Sequence, residues 1–352
     1  MRLRDRPEVL YVGDLWPGGT CFHRMEALSE LCMSLTCVNS VRTVSTLTRI
    51  AVRVGNRLRV HIDTAGVNEA LKSRLNKAHY DLVWIDKGQM LKPSTLDYLR
   101  SSNARCLWVS YSPDDMFNPR NASLRYRACI PLYDLHVTTK SYNVKELYAA
   151  GANDVLFIGN AYHPPVHHPI DLSAEEQRKW QSDISFIGGY ERDESRYRFM
   201  WALAEAGQHV VIRGPEWERC NKRHPNIVIE PGWVYGEDYA RAISGAKINL
   251  CFLRRVNRDL QTTRSVEIPA CGGFMLAERT SEHTALFREG VEAEFFSTQE
   301  ELITKASKYL RNDEQRVAVG CAGLSRCISS GYSNRNRLQT VLDYLERISC
   351  QT

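Results

Sequence analysis

The chain has no apolar stretch long enough to cross a bilayer, since no window approaches the roughly 18 apolar residues that a spanning helix needs. The apolar run near its amino terminus ends at Gly13 and is too short for the core of a signal peptide. No segment is biased enough in composition to predict disorder. These absences predict a globular, cytoplasmic protein.

Several motifs for nucleotide and metal chemistry are also missing. The sequence contains neither GxxxxGK[ST] nor GxGxxG, which argues against a P-loop NTPase and an ordinary dinucleotide-dependent dehydrogenase. Its 11 cysteines include no CxxC pair and are interpreted as reduced thiols. His163, His167 and His168 lie in a proline-rich segment without a cysteine or carboxylate at ligand spacing. The sequence therefore predicts no metal site.

The length of 352 residues fits two domains, each large enough to bury its own core. The formal net charge is +5, which suits an enzyme that handles anionic substrates. That charge is too weak to indicate a nucleic-acid partner.

The N-terminal half alternates strand and helix patterns. An apolar strand at 9–12 leads into a glycine-rich turn and a helical pattern at 22–32. Further buried strands are predicted at 82–85, 106–110 and 135–138, with a helix at 141–150. This alternation predicts an α/β fold with a doubly wound sheet.

One segment departs from the alternation. Residues 50–62 alternate between apolar and polar side chains and are interrupted by Gly55-Asn56, which resembles a hairpin turn. The pattern predicts a β-hairpin, so this half is not expected to be purely parallel.

The second half repeats the same pattern after a proline-rich segment that is interpreted as an interdomain linker. The predicted strands are 184–187, 209–212, 227–229, 248–252 and 274–277. The predicted helices are 195–206, 239–246, 299–310, 314–329 and 334–348. The sequence therefore predicts a second doubly wound domain and a closing amphipathic helix.

Residues 264–280, RSVEIPACGGFMLAERT, carry a specific resemblance. The segment resembles the C-terminal signature of the CgeB-like (spore-maturation-protein-like) glycosyltransferases, within the retaining GT-B group. The likeness continues through Glu282-His283 downstream, and 137–143 and 158–169 also resemble that family. It implies two Rossmann-like domains facing across a cleft.

The change of pattern at the proline-rich segment sets the predicted domain boundaries, and the resemblance implies the role of each domain. The N-terminal, acceptor-side domain is expected at 1–168, followed by a linker at 169–182. A nucleotide-sugar-binding domain is expected at 183–333, and a helix at 334–352 is expected to cross back to the N-terminal domain.

Glu267 lies at a predicted helix start, where a carboxylate can accept both hydroxyls of a ribose; capping the helix is the alternative. Cys271, Gly272 and Gly273 end that helix and allow close backbone approach to the nucleotide sugar. Related retaining enzymes have a glutamate eight positions before the ribose-binding residue. Here that position is Asp259. The resemblance therefore assigns the catalytic role near the donor sugar to an aspartate in place of the glutamate.

Basic residues accompany these positions. Arg254, Arg258 and Arg264 cluster in the sequence, and guanidinium groups suit a diphosphate leaving group. Arg264 is the strongest catalytic candidate of the three, and a solvent-facing arginine is the alternative.

Gly188 and Gly189 follow a strand and offer backbone N–H groups to a phosphate. Further candidates for the nucleotide sugar are Arg192, Arg196 and Arg213, the last at a strand end where ligands bind. Trp217 is compatible with stacking on a base or with core packing.

In the N-terminal half, Gly18 and Gly19 form the first strand–helix turn, which the resemblance places near the donor phosphates. Asp114 and Asp115 follow one buried strand and Lys87 follows another, where acceptor and catalytic groups are expected. The alternative is that Asp114 and Asp115 cap a helix and that Lys87 is solvated.

The resemblance predicts transfer of a sugar from a nucleoside-diphosphate sugar to an acceptor hydroxyl, with retention and without a cofactor. No Asp-x-Asp occurs, so the metal-chelating signature of the other glycosyltransferase fold is missing. The acceptor is expected to be a glycan, a lipid-linked molecule or a protein, with no nucleic acid and at most peripheral membrane contact. A sugar-nucleotide epimerase and a catalytically inactive carbohydrate-binding protein remain the alternatives.

Overall fold

The computed structural model describes residues 3–191 and 196–350. These residues form two six-stranded sheets, each within its own compact unit. Unit 1 comprises the chain up to Gly159 together with the residues from Asn334 onward, and unit 2 comprises Asn160–Ser333. Among the described residues, no helix is both long and apolar enough to cross a membrane.

Unit 1 contains a sheet with the strand order β2-β1-β3-β4-β5-β6, and every pair of neighbours is parallel. Its strands are β1 Glu8–Gly13, β2 Ser34–Asn39, β3 Leu82–Asp86, β4 Leu107–Ser112, β5 Leu135–Thr138 and β6 Val155–Phe157. Its helices are α1 Thr20–Leu31, α2 Thr46–Arg57, α3 Val67–Leu75, α4 Pro93–Ser102, α5 Leu124–Cys129, α6 Asn143–Ala149 and α14 Asn334–Ser349. Strand β3 is buried along its whole length, as expected for a central parallel strand covered on both faces.

The C-terminal helix α14 packs within unit 1. Leu338, Val341, Leu342 and Leu345 are buried and join the same core cluster as α1. The hydroxyl of Tyr344 also donates to Asp154 Oδ2 at 2.7 Å. The last helix therefore completes the core of the unit in which the chain begins.

The predicted hairpin at 50–62 is wrong, because this region contains α2. Ser45 caps the helix at its N-terminus, since its hydroxyl accepts the Thr48 N–H at 3.3 Å. Gly55 is buried inside the helix, where an added Cβ would lie 2.7 Å from the Val60 carbonyl oxygen. The glycine thus serves close packing rather than a turn, and the sheet of unit 1 is purely parallel.

Unit 2 contains a parallel sheet with the strand order β12-β11-β10-β7-β8-β9. Its strands are β7 Ser182–Ile187, β8 Val210–Gly214, β9 Ile227–Pro231, β10 Ala246–Cys251, β11 Met275–Glu278 and β12 Glu294–Phe296. Its helices are α7 Ala174–Trp180, α8 Arg196–Glu205, α9 Glu237–Ser244, α10 Arg264–Ala270, α11 Ser281–Leu286, α12 Gln299–Arg311 and α13 Asp313–Ser329. Both sheets have the α/β, doubly wound organisation predicted from the sequence.

The segment predicted as a linker, 169–182, is part of unit 2, which already begins at Asn160. It contains α7, whose start carries a reciprocal capping box between Ser173 and Glu176. The Ile170 N–H also donates to Ser244 Oγ at 3.1 Å. These bonds fix the segment on unit 2 and move the boundary from 168 to 159.

Two glycines of α13 bring this helix close to α10. An added Cβ on Gly320 would lie 2.7 Å from the Gly272 carbonyl oxygen, and one on Gly323 would lie 2.6 Å from that of Glu292. An added Cβ on Gly323 would also lie 3.2 Å from Pro269 Cβ of α10, so side chains at these positions would push α13 away from α10.

Candidate functional site

The strand order of unit 2 reverses between β7 and β10. The connections that leave two such strands run in opposite directions, which opens a crevice at their carboxyl ends where ligands bind in α/β sheets. The loops after β7 and β10 flank this crevice. Arg192, a predicted ligand in the first loop, lies outside the described residues.

Three arginines gather around the start of this crevice. The guanidinium carbons of Arg196 and Arg264 lie 5.7 and 5.8 Å from the centre of the Phe186 ring. Glu191 Oε1 lies 3.5 Å from Arg196 Nη2 and 2.7 Å from Arg254 Nη2. The arrangement holds one anionic group between guanidinium groups, as a phosphate site requires.

Arg264 differs from the other two arginines. Within residues 3–191 and 196–350 its guanidinium has no ion-pair partner, and its Nε is buried without a hydrogen-bond acceptor. A positive charge in that position is available to an incoming anion.

The glycine turn after β7 offers one further donor. The Gly188 N–H donates to the Arg213 carbonyl at 2.8 Å, and Trp217 Nε1 donates to the Gly188 carbonyl at 2.7 Å. The N–H of Gly189 has no acceptor among the described residues. Trp217 is 1% exposed, so its indole supports the turn from the core and does not stack on a base.

Glu267 lies on α10 with 7% of its surface exposed, and the side chains of Tyr239 and His167 lie beside its carboxylate. Tyr239 donates its hydroxyl to Glu267 Oε2 at 2.8 Å. His167 Nδ1 accepts the His163 backbone N–H at 2.8 Å, which leaves the ring proton on Nε2, 3.8 Å from Glu267 Oε1. Burial lowers the pKa of His167 to about 3, so the imidazole is neutral and presents an N–H to the carboxylate.

The sequence did not reveal Tyr239, His167 or Glu191 as parts of the site. Tyr239 and His167 are distant in the sequence from Glu267, and Glu191 is distant from Arg254, so the fold brings these groups together. The available signal for His167 was its place in the 158–169 segment that resembles the family. No group of three or more His, Cys, Asp or Glu side chains suited to a metal occurs in the part of the chain that the structure describes.

A buried hydrogen-bond chain fixes the start of α10. The Thr262 N–H donates to Ser265 Oγ at 3.0 Å, while Ser265 Oγ lies 2.7 Å from His283 Nε2. His283 Nδ1 lies 2.6 Å from the Glu278 carbonyl oxygen and therefore donates to it. The Ser265 hydroxyl must then donate to His283 Nε2. This bond fixes the position of α10, and with it the positions of Arg264 and Glu267 on the same helix.

Buried neutral histidines give the protein an acid-sensitive stability. Burial lowers the pKa of His136 to about 4, that of His167 to about 3 and that of His283 to about 4. The unfolded chain binds protons below about pH 6.5 while the folded chain excludes them, so this stabilisation is present above pH 6.5 and decreases toward pH 4. We expect the free energy of unfolding in urea to fall on the order of 1 kcal/mol per pH unit for each group.

His283→Gln should reduce the change of the free energy of unfolding with pH. His79→Gln should leave it unchanged, because His79 is exposed. Identical slopes for the wild type and His283→Gln would contradict the assignment.

The structure places Asp259 in the loop after β10, beside the arginines. It is 8% exposed, and its Oδ2 accepts the Arg254 backbone N–H at 3.4 Å. Arg258, directly before it, adopts a left-handed conformation with φ of 50°. The catalytic role of Asp259 stays a prediction.

Cys271, Gly272 and Gly273 pack closely within unit 2, and their role in nucleotide binding stays a prediction. Cys271 is 2% exposed, and burial raises the pKa of its thiol. A Cβ on Gly273 would lie 2.6 Å from Ile243 Cγ2, and one on Gly272 would lie 3.3 Å from Pro169 Cγ. The groups that approach these glycines belong to the protein itself.

The prediction for Arg213 also needs correction. Arg213 is 1% exposed, and its Nε donates to Glu230 Oε2 at 2.7 Å. Its Nη1 lies 3.3 Å from Ser185 Oγ. The guanidinium therefore contacts neighbouring strands and is not directed toward the crevice.

In unit 1 the strand order reverses between β1 and β3, and the predicted residues follow these strands and β4. Gly18 and Gly19 lie in the turn that ends at α1, with the Gly19 N–H bonded to the Trp16 carbonyl at 2.9 Å. Lys87 Nζ and Asp114 Oδ2 form an ion pair at 2.6 Å. The functions of Gly18, Gly19 and Asp114 stay predictions.

Asp115 is not available to a substrate. It is fully buried, with Oδ1 accepting the Phe117 N–H at 3.1 Å and the Asn143 amide at 3.0 Å. Its carboxylate therefore organises the loop after β4.

Sequence reasoning also missed a buried ion pair in the crevice region of unit 1. Arg24 Nη2 lies 3.2 Å from Asp86 Oδ1, and both side chains are almost completely buried. Tyr11 donates its hydroxyl to Asp86 as well, while the Arg24 guanidinium lies 4.4 Å from the Tyr111 ring centre. This network anchors the start of α1 to the end of β3.

Comparison with known proteins supports these observations. Residues 194–343 match the family model described as glycosyl transferase-like. HepE from Anabaena, solved in complex with UDP and glucose, is similar over 97% of this chain and 100% of its own, at 12% identity and a TM-score of 0.63. Sucrose-phosphate synthase from Thermosynechococcus elongatus is similar over 98% of this chain and 100% of its own, at 11% identity and a TM-score of 0.67.

The fold is GT-B. A putative UDP-N-acetylglucosamine 2-epimerase from Listeria monocytogenes shares it over 98% of this chain and 97% of its own, at 14% identity and a TM-score of 0.57. No curated protein sequence matches the chain. The GT-B assignment covers both units, and the family match includes the arginines and α10 of unit 2.

Proposed function

We propose that this GT-B protein is a glycosyltransferase that moves a sugar from a nucleoside-diphosphate sugar to an acceptor hydroxyl. The observation that carries the proposal is the buried Glu267 carboxylate, which Tyr239 orients through a hydrogen bond and which His167 Nε2 faces at 3.8 Å. It lies three positions after Arg264 on the same short helix, so a ribose and a diphosphate can be bound within one helical turn. Solved complexes of the similar protein HepE with UDP and UDP-glucose support a nucleotide-sugar donor.

In the proposed reaction the bond from the sugar C1 to the phosphate oxygen breaks, and an acceptor oxygen bonds to C1 while its proton passes to an oxygen of the departing diphosphate. The departing diphosphate gains negative charge, which Arg196, Arg254 and Arg264 stabilise together with the Gly189 N–H. When the diphosphate binds, it replaces the Glu191 carboxylate as the anion that contacts Arg196 and Arg254, and it carries a higher negative charge. Retention, as in the CgeB-like enzymes, and independence of a metal are parts of the proposal.

Thermal-shift screening with UDP-, GDP-, ADP- and CMP-sugars tests the proposal first, because a ligand of the native state raises the melting temperature. The stabilising sugar nucleotide is then incubated with EDTA and without an acceptor. Slow release of the nucleoside diphosphate supports a transferase, since transferases also transfer to water. A product epimerised at C2 would support an epimerase instead, and binding without turnover would support an inactive carbohydrate-binding protein.

Arg264→Lys should reduce turnover nearly as much as Arg264→Ala. An ammonium cannot reproduce the planar fork that binds two phosphate oxygens, so we expect a loss of about 1.5–3 kcal/mol in transition-state stabilisation. Sugar-nucleotide hydrolysis measures this loss, and affinity for the nucleoside alone should change less. Full activity of the lysine variant would show that Arg264 is a surface charge only.

A further inference from the structure

Helix α2 exposes an unusual apolar surface. Leu47, Ile50, Val54 and Leu58 are 80%, 54%, 54% and 65% exposed. They recur at intervals of three and four residues, so they form one stripe along the helix. Gly55, Thr48 and Val52 lie on another side and turn toward the protein, where Gly55 is buried. The apolar stripe therefore faces outward from unit 1.

The same helix carries a strong positive charge beside this stripe. Arg49, Arg53 and Arg57 are spaced four residues apart and exposed, so they share one side of the helix. Arg42 and Arg59 flank the helix, and no Asp or Glu occurs from 41 to 62. This combination of an aliphatic stripe and an arginine-rich polar side is typical of helices that lie in the interface plane of a membrane.

We propose that α2, with its flanking arginines Arg42 and Arg59, docks on the anionic surface of a lipid bilayer. The aliphatic stripe enters the boundary between headgroups and acyl chains, while the arginines contact lipid phosphates. Contact between two copies through this surface would bring like charges together. A protein partner is disfavoured because interface cores are enriched in Tyr, Trp and Phe, and 41–62 contains none. The proposal is independent of the proposed transferase activity.

Sedimentation with vesicles tests it on the full chain. We expect binding to vesicles in which about a third of the lipid is phosphatidylglycerol, weak binding to pure phosphatidylcholine, and a decrease with salt. Arg49→Gln with Arg53→Gln should lower the partition coefficient roughly 10- to 30-fold, because each arginine near an anionic surface contributes about fivefold. Ile50→Gln with Val54→Gln should lower it at least about tenfold, since both apolar side chains lose their burial in lipid.

Matched variants on unit 2 control for general loss of charge and apolar surface. Arg219→Gln with Arg288→Gln removes two side chains that are 66% and 74% exposed, and binding should not change. Val317→Gln with Ile328→Gln removes two that are 58% and 63% exposed, again without effect.

The proposal is overturned if the wild type stays in the supernatant with anionic vesicles, or if the α2 variants bind as well as it does. It is also overturned if light scattering without lipid shows a dimer that Ile50→Gln with Val54→Gln converts to a monomer. Circular dichroism verifies that each variant is folded.

Discussion

Replacing Glu267 by glutamine should weaken binding of the nucleoside diphosphate by roughly 1.5–3 kcal/mol, or about 10- to 150-fold. A carboxylate accepts hydrogen bonds at both oxygens, whereas the amide has one acceptor and presents an NH2 group to the remaining partner. Tyr239 already donates to one oxygen of this side chain, so a ribose hydroxyl would meet a donor or the tyrosine would lose its acceptor. Calorimetric titration with UDP, GDP and ADP measures the change.

The melting temperature should change little, since the substitution keeps the shape of a side chain at the edge of the crevice. Glu300→Gln is the matched control, because Glu300 lies at the exposed start of α12. Tyr239→Phe should produce a smaller loss of about 1 kcal/mol, since it removes one orienting hydrogen bond. Unaltered affinity of Glu267→Gln for every nucleotide that binds the wild type would contradict the ribose assignment.

Ending the chain after Ser333 should unfold unit 1. The truncation removes α14 and uncovers the core cluster to which Leu338, Val341 and Leu345 belong. Exposed core surface promotes aggregation, so we expect insoluble, inactive protein although Glu267 and Arg264 are still present. Soluble expression and sugar-nucleotide hydrolysis measure the two effects.

A single substitution in α14 should destabilise unit 1 to a smaller extent than the truncation. Leu345→Ala should reduce the free energy of unfolding by about 2–5 kcal/mol, because Leu345 is fully buried. Ile328→Ala on the exposed side of α13 should cost less than about 0.5 kcal/mol. A truncated chain that stays soluble and active would rule out this role of α14.

The central strands could be predicted from the sequence because parallel strands covered on both faces are continuous apolar runs. Strand β3 is the clearest case, since all five of its residues are buried. Strands β6 and β12 are only three residues long, too short for a periodic pattern. Gly55-Asn56 misled the interpretation because a dipeptide typical of turns also fits a helix that packs closely against a loop.

The site could be predicted only in part. The resemblance singled out Glu267 and Arg264, but the contacts of Tyr239 and His167 with Glu267 are long-range and could not be predicted from the sequence. Arg213 was misassigned because its position at a strand end is visible in the sequence, whereas its partner Glu230 lies opposite it on the next strand.

The return of α14 to unit 1 also constrains the order in which the protein matures. The backbone N–H of Leu3 donates to Ser349 Oγ at 3.3 Å, so the first and last described segments meet. The whole of unit 2 lies between them in the chain, and at roughly 5–20 residues per second its synthesis takes on the order of ten seconds or more. During that interval the core of the nascent unit 1 lacks α14, whereas unit 2 is continuous in the chain and has all its segments once Ser333 has been added. Unit 2 is therefore able to complete its core before unit 1, although most of unit 1 is synthesised earlier.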